Sequence, residues 1–136
     1  MGKQIVVNNK KELQKQFRQA RAKKYGNYTV HKNFNGIKTK FDSKAEYQRF
    51  LYLKNLEENG IITELKMQTK FLLQEKYTNA KKEKIQAINY KADFTYKKDG
   101  KWIVEDVKGF ITNEFKLKKK MFEFKYPELT IDIIKN

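Results

Sequence analysis

Three charged residues in the sequence have the types and the spacing that metal-assisted hydrolysis requires. Asp93 lies in the segment KADFTY, and Asp106 and Lys108 lie two residues apart in WIVEDVKG. In a strand, this spacing puts Asp106 and Lys108 on the same face. All three stand among apolar neighbours, where a charge is costly to bury unless it is paired or binds a metal. They are therefore candidates for a catalytic or metal-binding site.

The chemistry that suits these residues is phosphodiester hydrolysis. Two adjacent carboxylates can hold Mg²⁺ or Mn²⁺ against phosphate oxygens, while a neighbouring lysine orients water or stabilises developing charge. The chain has no cysteine and one histidine, His31, so any metal must be held by oxygen. Glu46 is the candidate for a third carboxylate, because it is the only acidic residue on the inward face of the first predicted helix, in line with Phe50 and Leu53.

Each of these residues also has a purely structural interpretation. Ser43 to Glu46 matches a capping box, in which Glu46 would only close the N-terminus of a helix. Asp93 and Lys108 could form a cross-strand ion pair worth less than about 1 kcal/mol. An Asp-x-Lys sequence is also expected by chance in a chain this rich in charge. The catalytic interpretation depends on the three parts occurring together, in order, on the predicted elements.

The predicted elements have the order αβββαβ. A helix should begin after Asp42 or Ser43 and end at Gly60. Strands are expected over 61–75, with a break near Lys66, over 84–96 and over 101–108, and the segment NAKKEKI should be an exposed loop. Asp99-Gly100 predicts a tight hairpin, and a second helix and a final strand should cover 112–125 and 129–134. The sequence therefore predicts an α/β fold with a mixed central sheet flanked by helices.

The positive charge is concentrated at the N-terminus. Residues 1–40 hold eleven lysines and arginines and one acidic residue, Glu12, so they carry +10 of the net charge of +15. They predict a basic N-terminal arm with a helix over about residues 9–24, followed by a turn-rich loop through KKYGNYTVHKNFNG. Residues 41–136 would form the core domain.

Such a charge favours a nucleic-acid partner. Eight basic residues are candidate DNA contacts: Arg18, Arg21, Lys23, Lys24, Lys40, Lys116, Lys118 and Lys119. Gln68 is a further candidate for contact with substrate or water. No apolar run is long enough to cross a membrane, and the first residues lack the apolar part of a signal peptide, so a cytoplasmic protein without a membrane partner is expected.

The arrangement of Glu46 on a helix, Asp93 on a strand and Asp106-Val107-Lys108 on the next strand resembles the PD-(D/E)XK nuclease superfamily. The segments GIKTKFDSKAEYQRFLYLKNLEENGIITELKMQTKF, NYKADFTY and VEDVKG are also similar to a family of small phage-encoded proteins placed in that superfamily, and the similarity covers about residues 25–134. It implies a restriction-endonuclease-like αβββαβ core, with Glu46, Asp93 and Asp106 as metal ligands and Lys108 as the catalytic lysine. Ala92 stands where the superfamily has a proline.

The resemblance and the charge together predict a Mg²⁺- or Mn²⁺-dependent DNA endonuclease. Because no base-reading module is apparent, selectivity for DNA structure is favoured over sequence specificity. The resemblance points to branched or Holliday-junction DNA and, for a phage protein, to the host cytoplasm and a role in recombination. Two-fold symmetric cutting of a junction would require a homodimer. The alternatives are a non-catalytic DNA-binding protein with a degenerate nuclease fold, and a phage accessory protein that binds an acidic protein partner.

Overall fold

A computed structural model of the chain describes residues 5–6, 29–34 and 37–136. The chain divides into two compact units, Met1–Leu51 and Tyr52–Asn136. The helix expected over about residues 9–24 lies outside the described residues. None of the helices within the described residues is long and apolar enough to cross a membrane.

The described residues of the first unit include three strands that form an antiparallel sheet. They are β1 (Ile5–Val6), β2 (Val30–Phe34) and β3 (Ile37–Phe41), in the order β1-β2-β3. The sequence predicted a loop through KKYGNYTVHKNFNG. This prediction is wrong for residues 30–34, which form one strand of a hairpin. Val30 lies opposite Phe41 in the register, and both side chains are buried. Burial of these two apolar residues at the end of the hairpin outweighs the polar composition of the segment.

Helix α1 (Lys44–Glu58) follows this sheet and crosses the boundary between the two units. Its start agrees with the prediction, since the Ser43 hydroxyl oxygen accepts a hydrogen bond from the Glu46 N–H at 3.1 Å. Glu46, Phe50 and Leu53 are all buried, as their common alignment predicted.

The second unit is built on a four-stranded sheet that positions the candidate site. Its strands are β4 (Thr63–Gln74), β7 (Ile88–Lys98), β8 (Lys101–Lys108) and β9 (Ile131–Lys135), in the order β4-β7-β8-β9. The first two pairings are antiparallel, while β8 and β9 are parallel and are connected through helix α2 (Asn113–Lys125). The predicted α/β class with a mixed sheet is confirmed.

Two strand predictions require correction. β4 continues through Lys66 without a break, although its register with β7 shifts between Thr63 and Lys66. The segment NAKKEKI is also not wholly a loop, because β6 (Lys84–Ile85) pairs with β5 (Tyr77–Thr78). The Asn79 side chain stabilises the turn between them by accepting hydrogen bonds from the N–H groups of Lys81 and Glu83, at 3.0 and 2.9 Å.

The local signals for the hairpin and for α2 are confirmed. Asp99 and Gly100 have φ values of 52° and 77° and connect Lys98 to its partner Lys101, as a two-residue hairpin requires. Thr112 caps α2 by accepting a hydrogen bond from the Phe115 N–H at 3.0 Å. The hairpin matters most for the candidate site, because its length fixes which residues of β7 and β8 face each other.

Helix α2 packs on one face of the four-stranded sheet through Phe122. This side chain is fully buried, and its ring lies 4.9 Å from Phe71 on β4, 5.4 Å from Tyr90 on β7 and 5.1 Å from Tyr126. Tyr126 also donates a hydrogen bond from its hydroxyl to the Leu72 carbonyl oxygen at 3.0 Å. Aromatic packing therefore holds α2 over the residues that form the candidate site.

Phe122→Ala is expected to lower the free energy of unfolding by about 3–5 kcal/mol, because it leaves a cavity in this aromatic cluster. Phe124→Ala is the matched control on the same helix, since 90% of the Phe124 side chain is exposed, and it should change stability by less than about 0.5 kcal/mol. Urea denaturation measures both. Equal effects of the two substitutions would contradict the packing described here.

Candidate functional site

Asp93 and Asp106 lie side by side on the central strands β7 and β8. The paired register of these strands runs from Lys98 opposite Lys101 to Phe94 opposite Glu105, and Asp93 and Asp106 are the next residue on each strand. The Val107 N–H donates a hydrogen bond to Asp93 Oδ2 at 2.8 Å. The Asp93 carboxylate therefore accepts the hydrogen bond that a backbone carbonyl of β7 would accept if the β7–β8 pairing continued. This bond fixes Asp93 beside Asp106.

Asp106 is the more deeply buried of the two carboxylates. Its side chain is 3% exposed, and Oδ2 accepts a hydrogen bond from the Tyr90 hydroxyl at 2.6 Å. Lys108 Nζ lies 3.0 Å from Oδ1, close enough for an ion pair, but within the described residues this oxygen accepts no hydrogen bond of good geometry. Asp106 Oδ1 is thus well suited to bind a cation.

Lys108 is held between Asp106 and helix α2. Its ammonium group lies 4.6 Å from the centroid of the Phe115 ring, and its side chain is still 30% exposed. The cation–π contact and the ion pair together restrict the lysine. Lys108 can therefore present a positive charge to a bound anion while remaining next to the carboxylates, as its predicted role requires.

The neighbouring Asp106 carboxylate disturbs the ionisation of Asp93. Burial, followed by repulsion from Asp106, raises the pKa of Asp93 to about 6, although the Val107 N–H and the Lys108 charge oppose the rise. Burial and the neighbouring Asp106 also raise the pKa of Tyr90, so this hydroxyl stays protonated and can donate to Asp106. The site therefore holds excess negative charge that its one nearby cation does not fully balance.

Gln68 faces this pair from β4 in a strained conformation. The register passes from Met67 opposite Phe94 to Thr69 opposite Ala92, with Gln68 and Asp93 between them. Gln68 has a φ of 55°, which is unusual for a residue with a side chain, and its Nε2 lies 3.5 Å from Asp93 Oδ1. Strained backbone of this kind is concentrated at functional sites. The structure thus brings Gln68 to the carboxylates, as a candidate site residue.

Tyr90 is the site residue that sequence reasoning missed. It lies three positions before Asp93, so a regular strand would direct the two side chains to opposite faces. Both nevertheless act on Asp106, in agreement with the interrupted pairing at Gln68 and Asp93. No pattern in the sequence reveals this interruption.

Glu105 belongs to the other face of β8, as strand alternation predicts for the tandem Glu105-Asp106. It is buried and accepts a hydrogen bond from the Tyr96 hydroxyl at 2.5 Å, whereas Asp106 is bound by Tyr90. The two adjacent acids therefore have different hydroxyl partners, and only Asp106 takes part in the pair with Asp93.

Glu46 lies in the first unit, where it forms part of the helix cap. Its N–H donates to the Ser43 hydroxyl, and its Oε2 accepts a hydrogen bond from the Asp42 N–H at 3.2 Å. This supports the capping interpretation, with the backbone donor one residue earlier than in a standard capping box. Within the described residues, no group of three or more His, Cys, Asp or Glu side chains is arranged to hold a metal. Metal ligation by Glu46 stays a prediction.

The predicted DNA contacts fall into three groups. Arg18, Arg21, Lys23 and Lys24 lie outside the described residues, and Lys40 is exposed in the first unit, 3.8 Å from Asp42. On α2, Lys118 and Lys119 form ion pairs with Glu114 and Glu123, at 3.4 and 2.9 Å. Lys116 is exposed and has no such partner among the described residues. It is therefore the lysine of this group most available to a phosphate.

The comparisons with known proteins identify a family without an assigned activity. A family model described as a protein of unknown function, DUF1064, matches residues 22–136. The chain belongs to this family. The DUF1064 match includes Glu46, Gln68, Asp93, Asp106 and Lys108, whereas Arg18 and Arg21 precede it. No curated protein and no solved structure matches the chain.

The raised pKa of Asp93 predicts how the stability of the metal-free protein depends on pH. The folded chain holds the Asp93 proton up to about pH 6, whereas the unfolded chain releases it near the ordinary value of 3.8. The folded state therefore binds more protons between about pH 4 and 6, so the free energy of unfolding falls as pH rises through that window, by up to about 3 kcal/mol.

The pH dependence of stability is tested by urea denaturation in EDTA at several pH values between about 4 and 6. Asp93→Asn should remove the contribution and flatten the profile. Asp132→Asn, which replaces an exposed acid on β9, should leave it unchanged. Parallel profiles for wild type and Asp93→Asn would contradict the assignment.

The strain at Gln68 predicts an unusual response to glycine. Lys70→Gly is the control, because Lys70 is an exposed β4 residue without a positive φ. This substitution should lower the free energy of unfolding by about 0.5–1 kcal/mol. Gln68→Gly relieves a left-handed conformation that costs about 1–2 kcal/mol with a side chain, so it should be neutral or stabilising. Thermal unfolding of the two variants measures the difference, and an equal loss in both would argue against strain at Gln68.

Proposed function

We propose that this DUF1064 protein is a divalent-metal-dependent DNA endonuclease of the PD-(D/E)XK type. The observation that carries the proposal is the buried pair of Asp93 and Asp106, with an oxygen that accepts no hydrogen bond within the described residues and with Lys108 beside it. Structural ion pairs normally balance their charges. Here two carboxylates share one nearby cation, as a site that binds an additional metal ion would.

The donor set fits Mg²⁺ or Mn²⁺. Both ions prefer oxygen ligands, and Mg²⁺ commonly binds through one or two carboxylates together with waters and substrate phosphates. Asp93 and Asp106 would hold the ion, and Glu46 is the proposed third ligand. When bound, the metal would neutralise charge on the scissile phosphate and activate water for attack.

The protein's own residues would position the reacting groups. Tyr90 and the Val107 N–H hold the two carboxylates in place. Lys108, restricted by Asp106 and Phe115, would orient the attacking water or stabilise the charge that develops on the phosphate. Gln68 would contact the substrate or the attacking water beside Asp93.

The order of elements supports the proposed restriction-endonuclease-like core. Helix α1 precedes three antiparallel strands, β4, β7 and β8, and helix α2 then leads to the parallel strand β9. Apart from the short hairpin of β5 and β6, this is the αβββαβ order that the resemblance implies. Asp93 lies on the second of these strands and Asp106 and Lys108 on the third, as in the superfamily's motif.

DNA is the proposed substrate because of the charge of the chain. The net charge of +15 attracts polyanions, and Lys116, Lys118 and Lys119 would contact phosphates near the carboxylates. We further propose that the enzyme is phage-encoded, acts in the host cytoplasm, and prefers branched or Holliday-junction DNA, which two copies of the chain would cut symmetrically.

Cleavage assays with purified protein test the activity. Duplex, single-stranded, flap and four-way DNA are incubated with Mg²⁺, Mn²⁺ or EDTA, and metal-dependent cleavage of branched DNA is expected. Asp93→Asn, Asp106→Asn and Lys108→Met should each lower the rate at least about 100-fold. The matched controls are Asp132→Asn and Lys135→Met, two exposed residues of β9 that should retain activity.

Three outcomes would overturn the proposal. Absence of cleavage with retained DNA binding at low salt would favour a non-catalytic DNA-binding protein. Absence of both would favour an accessory protein with an acidic partner. Cleavage that survives Asp106→Asn would show that the activity does not come from this site.

A further inference from the structure

A cavity of about 320 Å³ lies on the four-stranded sheet of the second unit. Its walls come from three strands, including Phe71 on β4, Thr95 on β7, and Trp102 and Val104 on β8, and from Leu129 between α2 and β9. This volume is at the lower end of the range of about 300–1,000 Å³ that is typical of small-molecule pockets. The cavity therefore has room for one ring system of the size of a nucleobase.

The cavity is on the same face of the sheet as the carboxylate pair. Val104 precedes Asp106 by two residues on β8, so the two side chains point to the same face and are separated by about 6–7 Å along the strand. Phe71 connects the two regions, because its ring stacks on Tyr90 at 6.3 Å, and Tyr90 donates to Asp106. A ligand in the cavity would therefore be a close neighbour of a phosphate bound at the carboxylates.

The walls combine an aromatic platform with positive charge. Trp102 is 41% exposed, and the Lys97 ammonium group lies 5.0 Å from the centroid of its ring. Among the described residues, Lys66 is the one lysine of the lining itself, and Lys97 lies beside the lining only through its contact with Trp102. Exposed aromatic rings beside cations are the arrangement on which proteins stack the bases of single-stranded nucleic acid.

Polar groups are few but suitable for the edge of a base. The hydroxyls of Thr69 and Thr95 lie 2.7 Å apart and form a hydrogen bond with each other. A hydroxyl can both donate and accept, so either group could exchange this bond for one to a polar ring edge. An apolar peptide side chain would make no use of the hydroxyls or of the flanking lysines, and a second copy of this basic chain would bring like charge against them.

We propose that this cavity binds an unpaired base of the DNA strand, next to the phosphate held at Asp93 and Asp106. The inference rests on the proposed nuclease function and adds the substrate class to it. A base inside a duplex must leave its stack to enter such a pocket, which costs a few kcal/mol, whereas a base at a junction, bulge or flap is already free. The cavity would therefore make the enzyme selective for DNA that is unpaired beside the cut.

Trp102 allows a direct test, because it is the only tryptophan in the chain. The full-length protein is titrated in EDTA with a duplex that carries one unpaired thymine, and with the same duplex carrying an abasic residue at that position. If the unpaired thymine stacks on the Trp102 ring, Trp102 emission should change when the thymine duplex is added and should not change when the abasic duplex is added. The abasic duplex should bind at least about fivefold more weakly, as expected for the loss of one stacked base.

A variant gives an independent readout. In Trp102→Leu, binding is followed by the anisotropy of labelled DNA, and the preference for thymine over the abasic residue should disappear. Tyr77→Leu is the control, because it removes another half-exposed aromatic residue, on β5, that does not line the cavity. It should keep the preference.

The outcomes separate this inference from the proposed function. Equal binding of the two duplexes by the wild type, with unchanged Trp102 emission at saturation, overturns the base pocket even if metal-dependent cleavage is observed. Selective binding without cleavage supports the pocket and overturns the nuclease. A Trp102 signal that follows protein concentration instead of DNA would assign the cavity to a second copy of the chain and overturn the proposal.

Discussion

The placement of two carboxylates side by side in a largely apolar sheet is the constraint on which the site depends. Asp93 and Asp106 lose hydration and repel each other, and such charges must be compensated within the fold. Tyr90, the Val107 N–H and Lys108 supply most of that compensation. It remains incomplete, because the pKa of Asp93 stays raised to about 6. A divalent cation would supply the missing positive charge, so the same features that disfavour the metal-free site favour metal binding.

The surrounding elements can be understood as the support for this pair. The two-residue hairpin at Asp99 and Gly100 sets the register that brings the carboxylates together. The parallel strand β9 follows from the α2 connection, and α2 carries Phe115 to Lys108. The interrupted pairing at Gln68 keeps Asp93 out of the regular ladder. The aromatic cluster around Phe122 then holds the helix over the site, so packing and chemistry are built from the same face of the sheet.

The sequence predicted the parts of this site that follow from local rules. Asp99-Gly100 implied the hairpin, the spacing of Asp106 and Lys108 implied a common face, and Thr112 with Pro127 bounded α2. Tyr90 could not be predicted, because it lies three positions before Asp93 and a regular strand would direct the two side chains to opposite faces. The hairpin of β2 and β3 was not predicted, because the polar composition of its segment is typical of a loop. For Glu46, one sequence pattern fits both a helix cap and a metal ligand, and the hydrogen bonds of the first unit supply evidence for the cap alone.

The most direct test of whether the carboxylate pair holds a cation is to measure Mn²⁺ binding to the metal-free chain by titration calorimetry. Saturable binding is expected, and it should be lost in both Asp93→Asn and Asp106→Asn but retained in Asp132→Asn. Because Asp93 must be deprotonated to bind, more protons should be released at about pH 5.5 than at pH 7.5. Absence of saturable binding, or equal binding by wild type and both site variants, would contradict a metal site at Asp93 and Asp106.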